Sequence, residues 1–82
     1  MALETLDTRG LLCPLPVIRT QDRIRSLTPG SLLVVTASDA GTLEDIPAWC
    51  RVHGHELVTT EQIEDDPERG KTYRFTIRVM DG

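Results

Sequence analysis

The sequence predicts an α+β fold, a two-layer α/β sandwich in which two helices cover one face of a four-stranded mixed sheet. Three patterns support this prediction: a continuous apolar run over residues 31–37, an alternation of apolar and polar residues over 73–79, and a segment with helical spacing on each side of the apolar run. The predicted order is β-α-β-α-β-β, with the second face of the sheet in water. A chain of 82 residues has the size of one small domain, predicted over residues 1–82.

The first strand and helix are predicted on either side of a sharp turn. Residues 3–7 alternate in part and predict the strand, and Gly10 can take the positive φ that a tight connection requires. The helix is predicted over residues 14–27, ending at the Pro29-Gly30 turn. Its predicted buried stripe contains Val17, Ile24 and Leu27 with Thr20 or Gln21 between them, and Arg19, Asp22, Arg23 and Arg25 are predicted to face outward.

The apolar run over residues 31–37 predicts the central strand. The second helix is predicted to begin between Thr42 and Asp45, because Pro47 is tolerated only in a first turn, and to end at Gly54 in a left-handed conformation. Its predicted inward stripe consists of Leu43, Ile46, Trp49, Cys50 and His53.

The last two strands are predicted as a hairpin. Residues 55–63 favour an extended conformation, and the acidic run over 64–66, followed by Pro67 and Gly70, is predicted as the solvated connection. In the final strand the predicted buried residues are Tyr73, Phe75, Ile77 and Val79.

Composition excludes several functional classes. Thirteen acidic and nine basic residues give a net charge of −4, which disfavours direct binding to nucleic acid. The sequence shows neither a secretory signal pattern nor a membrane-spanning run, so a cytoplasmic protein is predicted. Its two cysteines are 37 positions apart and form no CxxC pair, so free thiols are expected.

The most informative motif is Cys13-Pro14-Leu15-Pro16. Pro14 is predicted as the first helical residue and Cys13 as its N-cap, so the sulfur would face unpaired N–H groups and the positive end of the helix dipole. Both favour the thiolate, although the dipole is worth only about 0.3–1 kcal/mol. Gly10, Pro14 and Pro16 are predicted to hold the sulfur in place; the alternative is that Cys13 is merely a small buried hydrophobic residue.

Other candidate sites are weaker. Cys50 is predicted to be a core residue. A zinc site from Cys13, Cys50, His53 and His55 is disfavoured by the ligand spacing, and no metal is predicted. The histidines are instead predicted to cap the second helix and face solvent. The glycines form no phosphate-binding pattern, so no cofactor is predicted, and no histidine is predicted within reach of Cys13 as a general base.

An accessible nucleophilic sulfur without a predicted pocket, base or cofactor is typical of a carrier that exchanges sulfur through a persulfide. Residues 6–18, with the CPxP motif, resemble the signature of the TusA/SirA sulfur-transfer proteins, and residues 38–50 and 54–57 resemble that family's second-helix motif and following strand. The resemblance implies a two-layer sandwich and a persulfide on Cys13. It also implies sulfur donors such as cysteine desulfurases or rhodaneses, and acceptors such as DsrE-type or tRNA-thiolation relay proteins.

The chain departs from the family at positions that bear on partner choice. Gln21 and Asp22 stand where many members have lysines, Glu44 where a basic residue is common, and Ala40 where a proline is usual. Complementary charge steers association, so these changes affect which partners dock. A basic rim near the thiol is predicted to come in part from Arg9, Arg19 and Arg23, unless these are ordinary solvated side chains.

Two other hypotheses remain open from the sequence. The protein could be a non-catalytic regulatory or interaction domain, or a thiol redox protein that cycles Cys13 against Cys50. The redox hypothesis requires the two Cα atoms to come within about 7 Å. A carrier that presents one small surface to two partners is predicted to be a monomer.

Overall fold

The computed structural model describes residues 3–66 and 70–81. It contains four strands and two helices in the predicted order β-α-β-α-β-β. The elements are β1 (Leu3–Asp7), α1 (Leu15–Ile24), β2 (Leu32–Ala37), α2 (Thr42–His53), β3 (Glu56–Asp66) and β4 (Gly70–Arg78).

The strands form one mixed sheet in the order β1-β2-β4-β3. β1 runs parallel to β2, whereas β4 is antiparallel to both β2 and β3. β2 is therefore a central strand, as predicted, and the α+β fold with a four-stranded mixed sheet and two helices is confirmed.

The core lies between the sheet and the helices. It combines alternate residues of β2 and β4 with α1 and α2 side chains: Leu33, Val35, Ala37, Tyr73, Phe75, Ile77, Ile24, Ile46 and Cys50. The residues between them on β2 and β4 are less buried, and ion pairs join β4 to β3 at Arg74–Glu61 and Arg78–Glu56. One face of the sheet is thus packed and the other meets water.

The parallel pairing of β1 and β2 determines where the candidate site forms. The carboxyl ends of parallel strands lie at the same edge of a sheet, so the loops that follow β1 and β2 meet there. Buried Thr8 fixes this edge, since both its backbone N–H and its hydroxyl donate to the carbonyl oxygen of Thr36 at 2.7 Å.

Both helices differ in detail from the prediction. α1 covers Leu15–Ile24 and is shorter at both ends than the predicted 14–27, and Leu27 packs against the core from the following turn. α2 begins at Thr42, within the predicted interval, but Pro47 is its sixth residue and not part of a first turn. The early start is stabilised by short-range bonds from the N–H groups of Thr42 and Leu43 to the carbonyls of Asp39 and Ala40.

The inward stripe of α2 is narrower than predicted. Ile46 and Cys50 are buried and Trp49 is partly buried, but Leu43 and His53 are exposed. Gly54 has a φ of 78° and ends the helix in the left-handed conformation, as predicted.

The hairpin also differs from the prediction. β3 extends to Asp66, so the acidic residues 64–66 belong to the strand and not to the connection. Backbone pairing explains the extension, since Ile63 is opposite Thr72 and Asp66 is opposite Gly70. Pro67, predicted in the connection, lies outside the described residues. Neither helix of the described chain is long and apolar enough to span a bilayer.

Candidate functional site around Cys13

The loop that carries Cys13 is bonded along its length to the end of β2 and the loop after it. Beyond the Thr8 contact, the Gly10 N–H donates to the Ser38 hydroxyl oxygen at 2.8 Å, and the Cys13 N–H donates to Asp39 Oδ2 at 2.8 Å. Gly10 has a φ of +87°, the left-handed value that the sharp turn was predicted to need. The backbone around the thiol is therefore held in place by hydrogen bonds between the loop after β1 and the loop after β2.

Cys13 is not the N-cap of α1. The helix begins at Leu15 with Pro14 as its N-cap, and no side chain caps it. Residues 13 and 14 instead lie in a turn in which the Leu15 N–H donates to the Leu12 carbonyl at 2.9 Å, so helical geometry starts later than predicted. Pro16 lies in the first helical turn, is buried, and accepts the Thr20 hydroxyl at its carbonyl. Of the two prolines, Pro16 anchors the motif and Pro14 is exposed.

The Cys13 sulfur lies against the beginning of α2. A Cβ atom placed on Gly41 would be 3.2 Å from Cys13 Sγ, closer than ordinary packing permits. The Gly41 backbone is helical, with φ −59° and ψ −24°, so this glycine is not required by its own conformation. Its missing side chain leaves room for the sulfur of Cys13, a partly exposed residue.

Burial and two carboxylates disfavour ionisation of this thiol. Burial raises the pKa of Cys13, and hydrogen bonding and Coulombic repulsion from Asp45 and Asp39 raise it further, to about 12. The expectation that helix N–H groups would favour the thiolate is therefore wrong for the free protein. Burial is the largest cause of the raised pKa, and the two carboxylates add to it; the Cys13 N–H, meanwhile, donates to Asp39.

Asp39 itself is held as an anion. The N–H groups of Cys13 and Gly41 donate to its two carboxylate oxygens at 2.8 and 3.1 Å, and they lower its pKa. The group that repels a Cys13 thiolate is thus a fixed negative charge at neutral pH.

The predicted basic rim is largely neutralised. Arg9 forms a bidentate pair with Asp7, at 2.9 Å for each of two bonds, and these bonds hold the pKa of Asp7 well below its usual range. Arg23 pairs with Glu4 at 2.7 Å. Arg19 is exposed. Two of the three arginines therefore have an acidic partner within the fold.

A cavity that the sequence did not predict opens at the same edge of the sheet. It has a volume of about 430 Å³ and is lined by Asp7, Arg9, Gly10, Ser38 and Thr72. Cys13 is not among the lining residues. Arg9 and Gly10, both predicted to lie near the thiol, thus line a cavity beside the Cys13 loop, and the Gly10 N–H bonds that loop to Ser38.

Apolar side chains are exposed on both sides of the thiol. Leu12 is 72% exposed and immediately precedes Cys13, and Leu15 and Ile18 are exposed at 42% and 45% one turn apart on α1. Leu43 is exposed at 39% in the first turn of α2. A partly exposed thiol among exposed apolar residues is suited to contact with another protein.

Sequence reasoning missed Asp39, Gly41 and Asp45. The signal that could have found them was topological: a parallel β1–β2 pair brings the segment after β2 beside the segment after β1. Elsewhere, Cys50 is buried, as predicted, with 1% exposure. His55 is partly buried against Trp49 and accepts the Met80 N–H, so its predicted exposure is wrong. Among residues 3–66 and 70–81, no three His, Cys, Asp or Glu side chains could hold a metal ion.

Comparison with known proteins identifies the fold and the family. A family profile described as "Sulfurtransferase TusA" matches residues 4–79. The sulfur carrier protein TusA of Pseudomonas paraeruginosa is 44% identical over 73 residues, which cover 89% of this chain and 85% of that protein. The sulfur carrier protein TusA of Pseudomonas fluorescens is 46% identical over 74 residues, covering 90% and 82% of the two chains.

The fold is also that of a solved structure. The SirA-like protein from Desulfitobacterium hafniense superimposes with a TM-score of 0.72 over 95% of this chain and 99% of its own, at 23% sequence identity. Structure and sequence agree with the resemblance carried by the CPxP motif, and the chain belongs to the TusA family of sulfurtransferases and sulfur carrier proteins.

Proposed function

We propose that this protein carries sulfane sulfur as a persulfide on Cys13 and passes it between a donor and an acceptor protein. In the loading step the Cys13 thiolate attacks the outer sulfur of a donor persulfide, a new S–S bond forms on Cys13, and the donor cysteine leaves as a thiolate. In the unloading step an acceptor thiolate attacks the outer sulfur of Cys13–S–SH, and Cys13 is released as a thiolate. No external oxidant or reductant enters either step.

The observation that carries the proposal is the position of Cys13. Its backbone is fixed by the loop after β2, the residue is partly exposed, and exposed apolar side chains flank it on α1 and α2. The other cysteine, Cys50, is 1% exposed and cannot meet a partner without opening the core.

The supporting residues have separate roles in this proposal. Gly10 permits the turn and bonds Ser38, Pro16 anchors the start of α1 in the core, and Pro14 caps that helix. Arg9 holds Asp7 and thereby stabilises the loop at its origin. We assign Cys13 as the reacting residue and these four as its support.

A sulfur carrier of this family has a donor and an acceptor. For this chain we propose a cysteine desulfurase or rhodanese as donor and a DsrE-type protein or a similar relay protein as acceptor. The proposal treats residues 1–82 as one cytoplasmic, monomeric carrier domain that binds neither nucleic acid nor membrane directly, consistent with its net charge of −4. Gln21, Asp22 and Glu44 give its docking surface fewer positive charges than the family pattern implies.

Intact-mass measurement after incubation with a cysteine desulfurase and L-cysteine tests the proposal. The wild-type protein is expected to gain one sulfur atom, which a thiol reductant removes, and the Cys13→Ser variant is expected to gain none. Cys50→Ser is the matched control and is expected to load normally. A wild-type protein that gains no sulfur from the desulfurase, from a rhodanese with thiosulfate, or from polysulfide would support the interaction-domain hypothesis instead.

The same experiment separates the redox hypothesis. Both cysteines are free thiols in the structure. If the protein worked by cycling Cys13 against Cys50, Cys50→Ser would abolish activity as completely as Cys13→Ser. Under the carrier mechanism only the Cys13 variant loses transfer.

A further inference from the structure

We propose that Asp39 and Asp45 are positioning residues that hold the Cys13 thiol in its protonated, unreactive form while the protein is free. The inference rests on the proposed function, because it concerns when the carrier sulfur becomes a nucleophile. It adds a role for two residues that neither the motif nor the family comparison assigns.

Both carboxylates are hydrogen-bonding partners of the Cys13 side chain, and Asp39 and the sulfur both approach Gly41. Asp39 is fixed by the N–H groups of Cys13 and Gly41, so its charge cannot swing away. Asp45 projects from the first turn of α2, where its own N–H donates to the Gly41 carbonyl at 3.0 Å. Gly41 lies between them and lets the sulfur approach this turn.

The charged groups that act on Cys13 are therefore Asp39 from the loop after β2 and Asp45 from α2. On the Cys13 loop itself, Arg9 is paired with Asp7. Removing the proton from Cys13 would place a third negative charge beside two existing ones. Like charges at this range disfavour ionisation, and they add to the effect of burial.

This arrangement has a consequence for sulfur transfer. A free carrier with a protonated thiol reacts slowly with small disulfides and electrophiles, because the thiolate is the nucleophile. A donor or acceptor that brings a lysine or arginine side chain to the two carboxylates offsets their repulsion and releases the thiolate inside the complex. The thiol is then activated where transfer takes place.

The test is the pH profile of Cys13 alkylation by iodoacetamide, a neutral reagent whose encounter with the protein does not depend on charge. Asp45→Asn is expected to move the profile to lower pH and to increase the rate at pH 8 by about fivefold or more. Asp39→Asn is expected to act in the same direction. Peptide mapping by mass spectrometry assigns the alkylated residue, and circular dichroism confirms that each variant is folded.

Two controls make the result specific. Glu44→Gln removes the same charge from the same turn and is expected to leave the profile unchanged. Raising the salt concentration from about 0.02 to about 0.5 M is expected to speed alkylation of the wild type but not of the Asp39→Asn/Asp45→Asn double variant, because exposed charges are screened.

A slower reaction of Asp45→Asn would overturn the inference, since it would show that Asp45 accepts the thiol proton as a general base. An unchanged profile in both single variants would also overturn it and leave burial as the cause. Neither outcome affects the proposed function, which depends on sulfur loading of Cys13 and is measured by mass independently of the alkylation profile.

Discussion

Cys13 lies against the beginning of α2 and Cys50 lies in its C-terminal half, and a different effect disfavours ionisation of each thiol. Near its beginning, Cys13 is a partly exposed residue, and its pKa is raised by burial and by two carboxylates. In its C-terminal half, Cys50 is buried among core side chains, and burial alone raises its pKa to about 11.

This difference determines which thiol can be converted to a thiolate when a partner binds. The charges near Cys13 lie on exposed segments, so a docked cation or salt can offset them without a change in fold. Water reaches Cys50 only if the core opens, and opening costs a large part of the stability of the domain. The electrostatic restraint is therefore reversible on binding, whereas the packing restraint is not.

Serine substitutions at the two cysteines should give opposite outcomes, with the larger effect on stability at Cys50. Cys50→Ser puts a hydroxyl into an apolar core and is expected to lower the free energy of unfolding by about 1–2 kcal/mol. Cys13→Ser, at a partly exposed position, is expected to change it by less than about 0.5 kcal/mol while sulfur loading is lost. Urea denaturation of both variants measures the difference.

An equal loss of stability in both variants would contradict the comparison, because it would show that Cys13 is also a packing residue. Cys50→Ala is a useful additional control, since it removes the sulfur without adding a hydroxyl. It is expected to be less destabilising than Cys50→Ser if the polar group, and not the lost volume, is the main cost.

Gly41→Ala tests whether the space beside the Cys13 sulfur at the beginning of α2 is needed for sulfur transfer. Alanine suits the helical backbone of this position, but its Cβ would be 3.2 Å from Cys13 Sγ, so the sulfur must shift by a few tenths of an ångström. Sulfur loading is expected to slow severalfold, because transfer depends on the placement of the reacting atom. The measurement is a quenched time course of loading followed by intact mass.

The neighbouring exposed residue provides the matched control for that variant. Ala40→Ser adds one heavy atom at the adjacent position of the same loop and is expected to load at the wild-type rate. If Gly41→Ala also loaded at the wild-type rate, the space beside the sulfur would have no role in transfer.

The sequence predicted the elements better than the contacts between them. Periodicity and turn residues were sufficient for the element order, the left-handed Gly10 and Gly54, and the buried Cys50, because these features depend on local sequence. The end of β3 was not predicted, since it depends on backbone pairing with β4. The ends of α1 were also missed, because local turn bonds, such as Leu15 N–H to Leu12 and Leu27 N–H to Ile24, replace helical bonding there.

The environment of the thiol shows the same limit more clearly. The CPxP motif identified the reacting residue, but Asp39 and Asp45 are 26 and 32 positions away in sequence. They reach the sulfur only because β1 and β2 are parallel and their following loops meet. A local argument from the helix dipole therefore gave the wrong direction for the Cys13 pKa.

The end of α2 offers the smallest predicted effect, a pH dependence carried by a histidine. His55 stacks on Trp49 at 5.3 Å, and its Nδ1 accepts the Met80 N–H at 3.1 Å, which requires the neutral ring. Burial lowers the pKa of His55, and the charge of His53 lowers it further. The folded protein therefore binds the proton less readily than the unfolded chain.

The sign of the effect follows from this lowered pKa. Above about pH 6.5, the unfolded-state value, both states are neutral and the stability is fully present. As the pH falls below that value the unfolded chain is protonated first, so the free energy of unfolding decreases, by less than about 1 kcal/mol for a partly exposed group. Urea denaturation between pH 7.5 and pH 5 should detect the loss, which His55→Gln should reduce and the exposed control His53→Gln should largely retain. A stability that rose on acidification in the wild type but not in His55→Gln would show that the ring is protonated in the fold and that Met80 is held by another contact.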